Sequence, residues 1–213
     1  MVVGIFVGGA ARRMGGIPKG LLRHPESGLS LVETLAGHAE AVCGAGSVVL
    51  VRDHSAYAHL PWPRLQDRLE TTSAAGSKRP SGMDANARVG PLGGLAALLE
   101  HAAQRAAPWV ISLACDLPRA DRALLQALLS AAPDAALVAP RSRFWELLSA
   151  RWLVNAALPV ALEALASGQH ALQPLAAALG ATELPLADPG VLLDWDSPTD
   201  LPPDAAARLR PVE

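Results

Sequence analysis

The chain has 213 residues and a mass of 22.1 kDa, with 51 % apolar and 4 % aromatic residues and a pI near 6.3. That length suits one domain with a substantial core. Its 18 Lys and Arg against 20 Asp and Glu give no bulk attraction to nucleic acid or to an anionic membrane, so any basic site must be local.

Residues 2–7 (VVGIFV) are a continuous apolar run and read as a first, buried strand. Residues 8–22 follow as a run of glycines with Arg12, Arg13 and Lys19. Residues 31–43 form an amphipathic helix with Leu31, Val32, Leu35 and Val42 roughly on one side, and 47–51 (SVVLV) a second strand. Residues 70–89 are polar, rich in Gly, Ser and Ala and without period, which predicts a long mobile surface loop. An Ala/Leu helix is expected over 93–107, a third strand over 109–114 (WVISLA), a helix over 119–131, a fourth strand over 135–139 and a helix over 158–166. Residues 202–213 read as a partly ordered tail.

Strands of continuous apolar character alternating with helices predict a single-domain, three-layer α/β/α fold. Its sheet is mostly parallel and Rossmann-like. In such sheets ligands bind beyond the carboxyl ends of the strands. The places to look are therefore just after Val7, near Asp53, just after Ala114 and just after Ala139.

The first of these reads GGAARRMGGIPKG. Glycines after a buried strand let backbone N–H groups approach phosphate oxygens, and nearby Arg and Lys add matching charge. Two common phosphate fingerprints are absent: no G-x-G-x-x-G opens a helix, and Lys19 is followed by Gly20 rather than Ser or Thr. A different kind of phosphate loop is required.

Asp116 follows the apolar 109–114 strand. A carboxylate there either caps the next helix or meets a cation. With a phosphate-binding loop at the same sheet edge, a Mg2+ ligand is the favoured reading. Asp194 and Asp196 precede SPTD and read either as turn residues or as site residues, and of the two Asp196 is preferred as a second metal or nucleotide contact. Cys43 and Cys115 have no metal-ligand spacing and no disulfide framework; they read as buried apolar residues in a reducing cytoplasm. The six histidines show no ligand pattern, and Trp109, Trp145 and Trp152 read as packing residues. Neither a signal peptide nor an apolar run of the roughly 20 residues needed to cross a bilayer is apparent.

Four segments in order carry a family resemblance. FVGGAARRMGGIPKGLL resembles the G-G-x-x-x-R-M-G-x-x-K signature of the MobA-like nucleotidyltransferases, and the paired arginines resemble their guanylyltransferase branch. RVGPLGGL (88–95) resembles G-P-L-x-G-[IL], LACDLP (113–118) resembles C-D-x-P, and LLDWDSPTDL (192–201) resembles [ND]-x-[ND]-T-P-x-[DE]-L. The resemblance spans residues 1–201 and implies a nucleotide-diphospho-sugar transferase type of fold.

The resemblance also implies Mg2+-dependent transfer of GMP from GTP to Mo-molybdopterin, with the product passed to a molybdoenzyme or its chaperone. Cytidylyl transfer to the same pterin, nucleotidyl transfer to a sugar phosphate, and a non-catalytic nucleotide-binding adaptor are the alternatives. Carried over residue by residue, Phe6, Val7, Gly8, Gly9, Gly90, Pro91 and Leu92 line the nucleotide. Arg13 and Lys19 hold the triphosphate, and Asp116 holds the metal with Asp196. A further nucleotide-contacting aspartate is implied after the second strand. Asp84 fits the spacing to Gly90, Asp67 fits the preceding LPWPRLQ, and Asp84 is preferred. Two departures stand out: VRD at the end of the second strand, where the family usually has Asn, and SRFWELLSARW (142–152), where a proline usually precedes the leucine.

Overall fold

The structure, a computed structural model, describes residues 1–8, 14–52, 54–68 and 90–202. One seven-stranded sheet organises them, in the order β3-β2-β1-β4-β6-β5-β7. In chain order the elements are β1 (Val2–Phe6), α1 (Leu31–Cys43), β2 (Val48–Val51), β3 (Arg64–Leu65), α2 (Gly90–Gln104), β4 (Trp109–Ala114), α3 (Arg122–Ser130), β5 (Leu137–Ala139), β6 (Ser149–Leu153), α4 (Val154–Ala166), α5 (Gln173–Ala178) and β7 (Thr182–Glu183). All neighbours pair in parallel except β6, which is antiparallel to both β4 and β5.

β1 is buried over its whole length because it lies between β2 and β4 and is covered on both faces. Val3 and Ile5 join a cluster with Val32, Leu35, Leu124 and Leu125 of α1 and α3. Val2 and Phe6 join the opposite cluster with Leu92, Leu95 and Leu99 of α2 and Ala157 and Ala161 of α4. The chain turns away from β1 in one direction toward β2 and in the other toward β4. The cleft between their carboxyl ends is therefore the switch point at which such sheets bind ligands.

The helix starts follow from local chemistry. A capping box opens α1: the Ser30 side chain accepts from Glu33 N, and Ser30 N donates to Glu33 Oε2 at 2.9 Å. α3 is capped by Asp121, whose Oδ1 accepts from Leu124 N at 3.0 Å. That disposes of a capping role for Asp116. α2 begins at Gly90, earlier than its Ala/Leu pattern suggests, because Pro91 suits a first helical turn, where the missing N–H has no intrahelical partner. α4 begins at Val154 and runs through Pro159.

Trp152 of β6 is fully buried and donates from Nε1 to Ser112 Oγ at 2.8 Å. Among the described residues no helix is long and apolar enough to cross a membrane.

Candidate active site

Three chain segments meet beyond the carboxyl ends of β1 and β4. The first descends from the glycine-rich stretch. Residues Lys19–Leu21 form a 3-10 turn seated on two buried side chains: Gly20 N donates to Tyr57 Oη at 3.1 Å, and Gly20 also packs beside Cys115. That seat aims Lys19 across the cleft. The second segment is the end of β4, where Cys115 and Asp116 leave the sheet. The third is the C-terminal stretch 194–196.

A small apolar cluster joins the first and third segments. Met14 and Leu22 pack with Leu31, Trp195 and Leu201. Trp195 N then donates to Asp116 O at 3.0 Å, tying the third segment to the second. The stretches 14–22 and 195–201 are thus clamped together at the end of β4.

The outcome is a compact ionic cluster. Lys19 Nζ lies 2.9 Å from Asp116 Oδ2 and 2.5 Å from Asp196 Oδ1. Burial works against the charge on Lys19, but the hydrogen bonds to Asp196 and Asp116 outweigh it and raise its pKa above that of an ordinary lysine. Lys19 is therefore a permanent cation at neutral pH. Asp116, Asp194 and Asp196 each offer one oxygen, and the three oxygens lie within 4.8 Å of one another. Burial and the charges of Asp116 and Asp196 raise the pKa of Asp194. Three carboxylates crowded against one ammonium leave net negative charge that a further cation would relieve.

The donor set suits a hard divalent ion. Mg2+ binds carboxylate oxygens at about 2.0–2.1 Å, so opposite ligands lie roughly 4 Å apart, close to the observed spread. Among the described residues no Cys or His joins the cluster. Cys115 is buried beside Asp116, and burial, aided by that charge, pushes its thiol up to about 12, so it stays protonated. It is a packing residue, not a nucleophile.

Phe6 and Val7 end the first strand, both buried, with Val7 N donating to Val51 O at 3.0 Å. Gly8 passes so close to the end of β2 that a Cβ there would lie 2.4 Å from Arg52 Cβ. Arg52 itself has φ 66°, a costly value for a residue with a side chain. Its Nε donates to Asp67 Oδ2 at 3.1 Å. Asp67 is only 2 % exposed, and burial raises its pKa against the opposing effect of Arg52. Of the two aspartates weighed for this side of the cleft, the structure describes Asp67 and places it beyond β3, next to the switch point. Asp84 lies outside the described residues, as do Gly9, Arg12, Arg13, Asp53, the 70–89 segment and residues 203–213.

Gly90, Pro91 and Leu92 form the first turn of α2. The Leu92 side chain is fully buried in the core, and its N–H donates to His170 O at 3.4 Å. Gly90 has φ +56°, and a Cβ on it would lie 2.4 Å from the backbone oxygen of His170. The strained φ and the clash act together, so Gly90→Ala should destabilise the fold by about 2–4 kcal/mol, read as a lower urea midpoint.

The structure therefore unites Lys19, Asp116 and Asp196, which motif reading singled out. It adds Asp194, which that reading set aside, together with Tyr57 as the support of Lys19 and Arg52 as the partner of Asp67. For Asp194 a signal existed in D-W-D: a buried tryptophan between two acids leaves both carboxylates on the side away from the core.

Known proteins resemble this chain over most of its length. The MobA-like NTP transferase domain matches residues 3–184. A molybdenum cofactor guanylyltransferase from Pseudomonas putida (strain GB-1) is 32% identical over 176 residues, covering 79% of this chain and 78% of that protein. A probable molybdenum cofactor guanylyltransferase from Synechococcus elongatus is 31% identical over 201 residues, covering 92% and 93% of the two chains. The crystal structure of molybdopterin-guanine dinucleotide biosynthesis protein A from Archaeoglobus fulgidus shares the fold, with a TM-score of 0.67 at 19% identity and coverage of 98% and 96%. The domain match takes in β1 through β7 and both Lys19 and Asp116, and on that extent the chain belongs to the MobA-like NTP transferase family.

Proposed function

We propose that this chain transfers GMP from GTP to Mo-molybdopterin, forming the guanine dinucleotide cofactor and pyrophosphate. The observation that carries the reading is the meeting of Lys19 with Asp116, Asp194 and Asp196 at the sheet switch point. Such a site pairs one cation for a polyphosphate with carboxylates for a divalent ion. The guanylyltransferase names of the relatives supply the base and the acceptor.

In the reaction a phosphate oxygen of the acceptor bonds to the α-phosphorus of GTP in line with the breaking bond to the β-phosphate bridging oxygen. That oxygen leaves with its electron pair as part of pyrophosphate. Charge grows on the leaving group, so the protein contributes position and electrostatic stabilisation rather than a nucleophile. Backbone groups of Phe6, Val7, Gly8 and Gly9 line the base and phosphates, with the first turn of α2 opposite them. Lys19, joined by Arg13, faces the β- and γ-phosphates and stabilises the departing pyrophosphate. Asp116, Asp194 and Asp196 would hold Mg2+, which when bound neutralises phosphate charge and orients the α-phosphate. Asp67 fixes Arg52 beside Gly8 and shapes the nucleotide end of the cleft. We place the reaction in the reducing cytoplasm, where Cys43 and Cys115 persist as thiols.

The test is incubation of the purified chain with Mg2+, molybdopterin and either GTP or CTP, following pyrophosphate and the dinucleotide product. Pyrophosphate release with GTP at least tenfold faster than with CTP is expected. Preference for CTP would make the chain a cytidylyltransferase, and binding of Mg·GTP without pyrophosphate release would make it an adaptor.

A further inference from the structure

The carboxylate cluster already holds a cation, and that cation is part of the protein. Lys19 Nζ touches Asp116 and Asp196 at 2.9 and 2.5 Å. The oxygens of Asp116, Asp194 and Asp196 that could serve as ligands lie within 4.8 Å of one another. A divalent ion bound at about 2.0–2.1 Å from these oxygens would sit only a few ångströms from the ammonium, and two cations at that range repel. Lys19 is held at 16 % side-chain exposure. In the reaction proposed above, its alternative anionic partner is the nucleotide's polyphosphate.

Asp194 is held in place independently of any ion. Trp195 is buried among Met14, Leu22, Leu31 and Leu201, and its N–H donates to Asp116 O at 3.0 Å. Asp200 Oδ2 accepts from the backbone N–H groups of Asp196 and Ser197 at 3.1 and 2.7 Å. The two acids flanking Trp195 are thereby fixed beside Asp116 rather than carried on a swinging segment.

We infer that Lys19 is the resident counter-cation of a three-carboxylate metal site, with Asp194 as its third ligand, and that Lys19 and the divalent ion exchange: the ion takes the carboxylates as the nucleotide's phosphates take the ammonium. Two consequences follow. Without nucleotide the site binds divalent ions weakly, and metal and nucleotide affinities rise together, each by the same factor. The inference rests on the metal-dependent nucleotidyl transfer proposed above.

Mn2+ binding, measured by electron paramagnetic resonance and by calorimetry without nucleotide or acceptor, tests the exchange. Lys19→Met and Lys19→Gln should each bind Mn2+ at least tenfold more tightly than the unsubstituted chain. An α,β-methylene analogue of GTP should tighten Mn2+ binding to the unsubstituted chain at least tenfold, and to the Lys19 variants by much less. Asp194→Asn in the Lys19→Met background should weaken Mn2+ at least tenfold. Unchanged or weaker binding in both Lys19 variants overturns the exchange, and an Asp194→Asn substitution without effect removes Asp194 from the ligand set. Because these titrations contain no acceptor and follow no turnover, they succeed or fail separately from the guanylyl-transfer assay.

Discussion

Lys19→Ala should lower kcat/KM for GTP by three orders of magnitude or more, measured as pyrophosphate release at saturating Mg2+. Losing a single preorganised donor aimed at developing charge typically costs about 10²–10³ in rate. Lys19 is a full cation, and it sits beside three carboxylates. Its removal withdraws a full positive charge from the departing pyrophosphate. A thousandfold loss corresponds to about 4 kcal/mol of transition-state stabilisation. Lys19→Arg should recover less than a tenth of the activity, because a planar guanidinium cannot occupy the seat of a compact ammonium between two carboxylates. The melting temperature without Mg2+ should fall as well, since removing the ammonium leaves part-buried carboxylates without their counter-charge. Activity within tenfold of the unsubstituted chain would remove Lys19 from the phosphate site.

The parts of this molecule visible in its sequence are those whose causes are local. The helix at Leu31–Cys43 matches expectation to the residue, because Ser30 and Glu33 write its capping box into adjacent positions. The strand Trp109–Ala114 does too, because a buried central strand is an unbroken apolar run. β6 escaped for the opposite reason. Arg151 interrupts SARWL, yet it is 2 % exposed, its Nη1 and Nη2 donating to Leu129 O and Ala132 O near the end of α3 at 2.8 and 2.7 Å. It also lies 4.4 Å over the ring of Trp109. Those partners come from other elements, which no window of sequence reveals. β3 and β7 are two residues each, too short to show a period.

The site divides the same way. Lys19 and Asp116 were legible because each belongs to a motif whose spacing has a chemical reason. Their contact was not, because it depends on Gly20 resting on Tyr57 and Cys115. Asp194 stayed open between a turn and a site residue because nothing local shows that Trp195 packs with Met14 and Leu22 and draws its neighbours over β4. The pairing of Arg52 with Asp67 was hidden for a related reason: it joins the ends of β2 and β3, and β3 was not visible.

Asp116→Asn should separate the fold from the chemistry. Asn keeps the shape of the side chain and an oxygen that can still accept from Lys19, so the contacts at the end of β4 survive. The backbone bond from Trp195 N to Asp116 O does not depend on the carboxylate at all. One of three crowded negative charges is lost, which relieves repulsion in the metal-free protein. Its melting temperature should therefore stay within about 3 °C of the unsubstituted chain, a shift equivalent to roughly 1 kcal/mol for a domain of this size. Divalent-ion binding should suffer, because a neutral amide oxygen replaces a charged ligand. An ion that binds only the folded state raises stability by RT ln(1 + [L]/Kd), so excess Mg2+ with GTP should raise the melting temperature of the unsubstituted chain and leave the variant nearly unmoved. Guanylyl transfer should fall about a thousandfold or more, since a bound ion contributes several kcal/mol to neutralising phosphate charge. A variant that melts normally, still gains stability from Mg·GTP and still transfers within tenfold of the unsubstituted rate would show that Asp116 neither holds the ion nor faces the reacting phosphates.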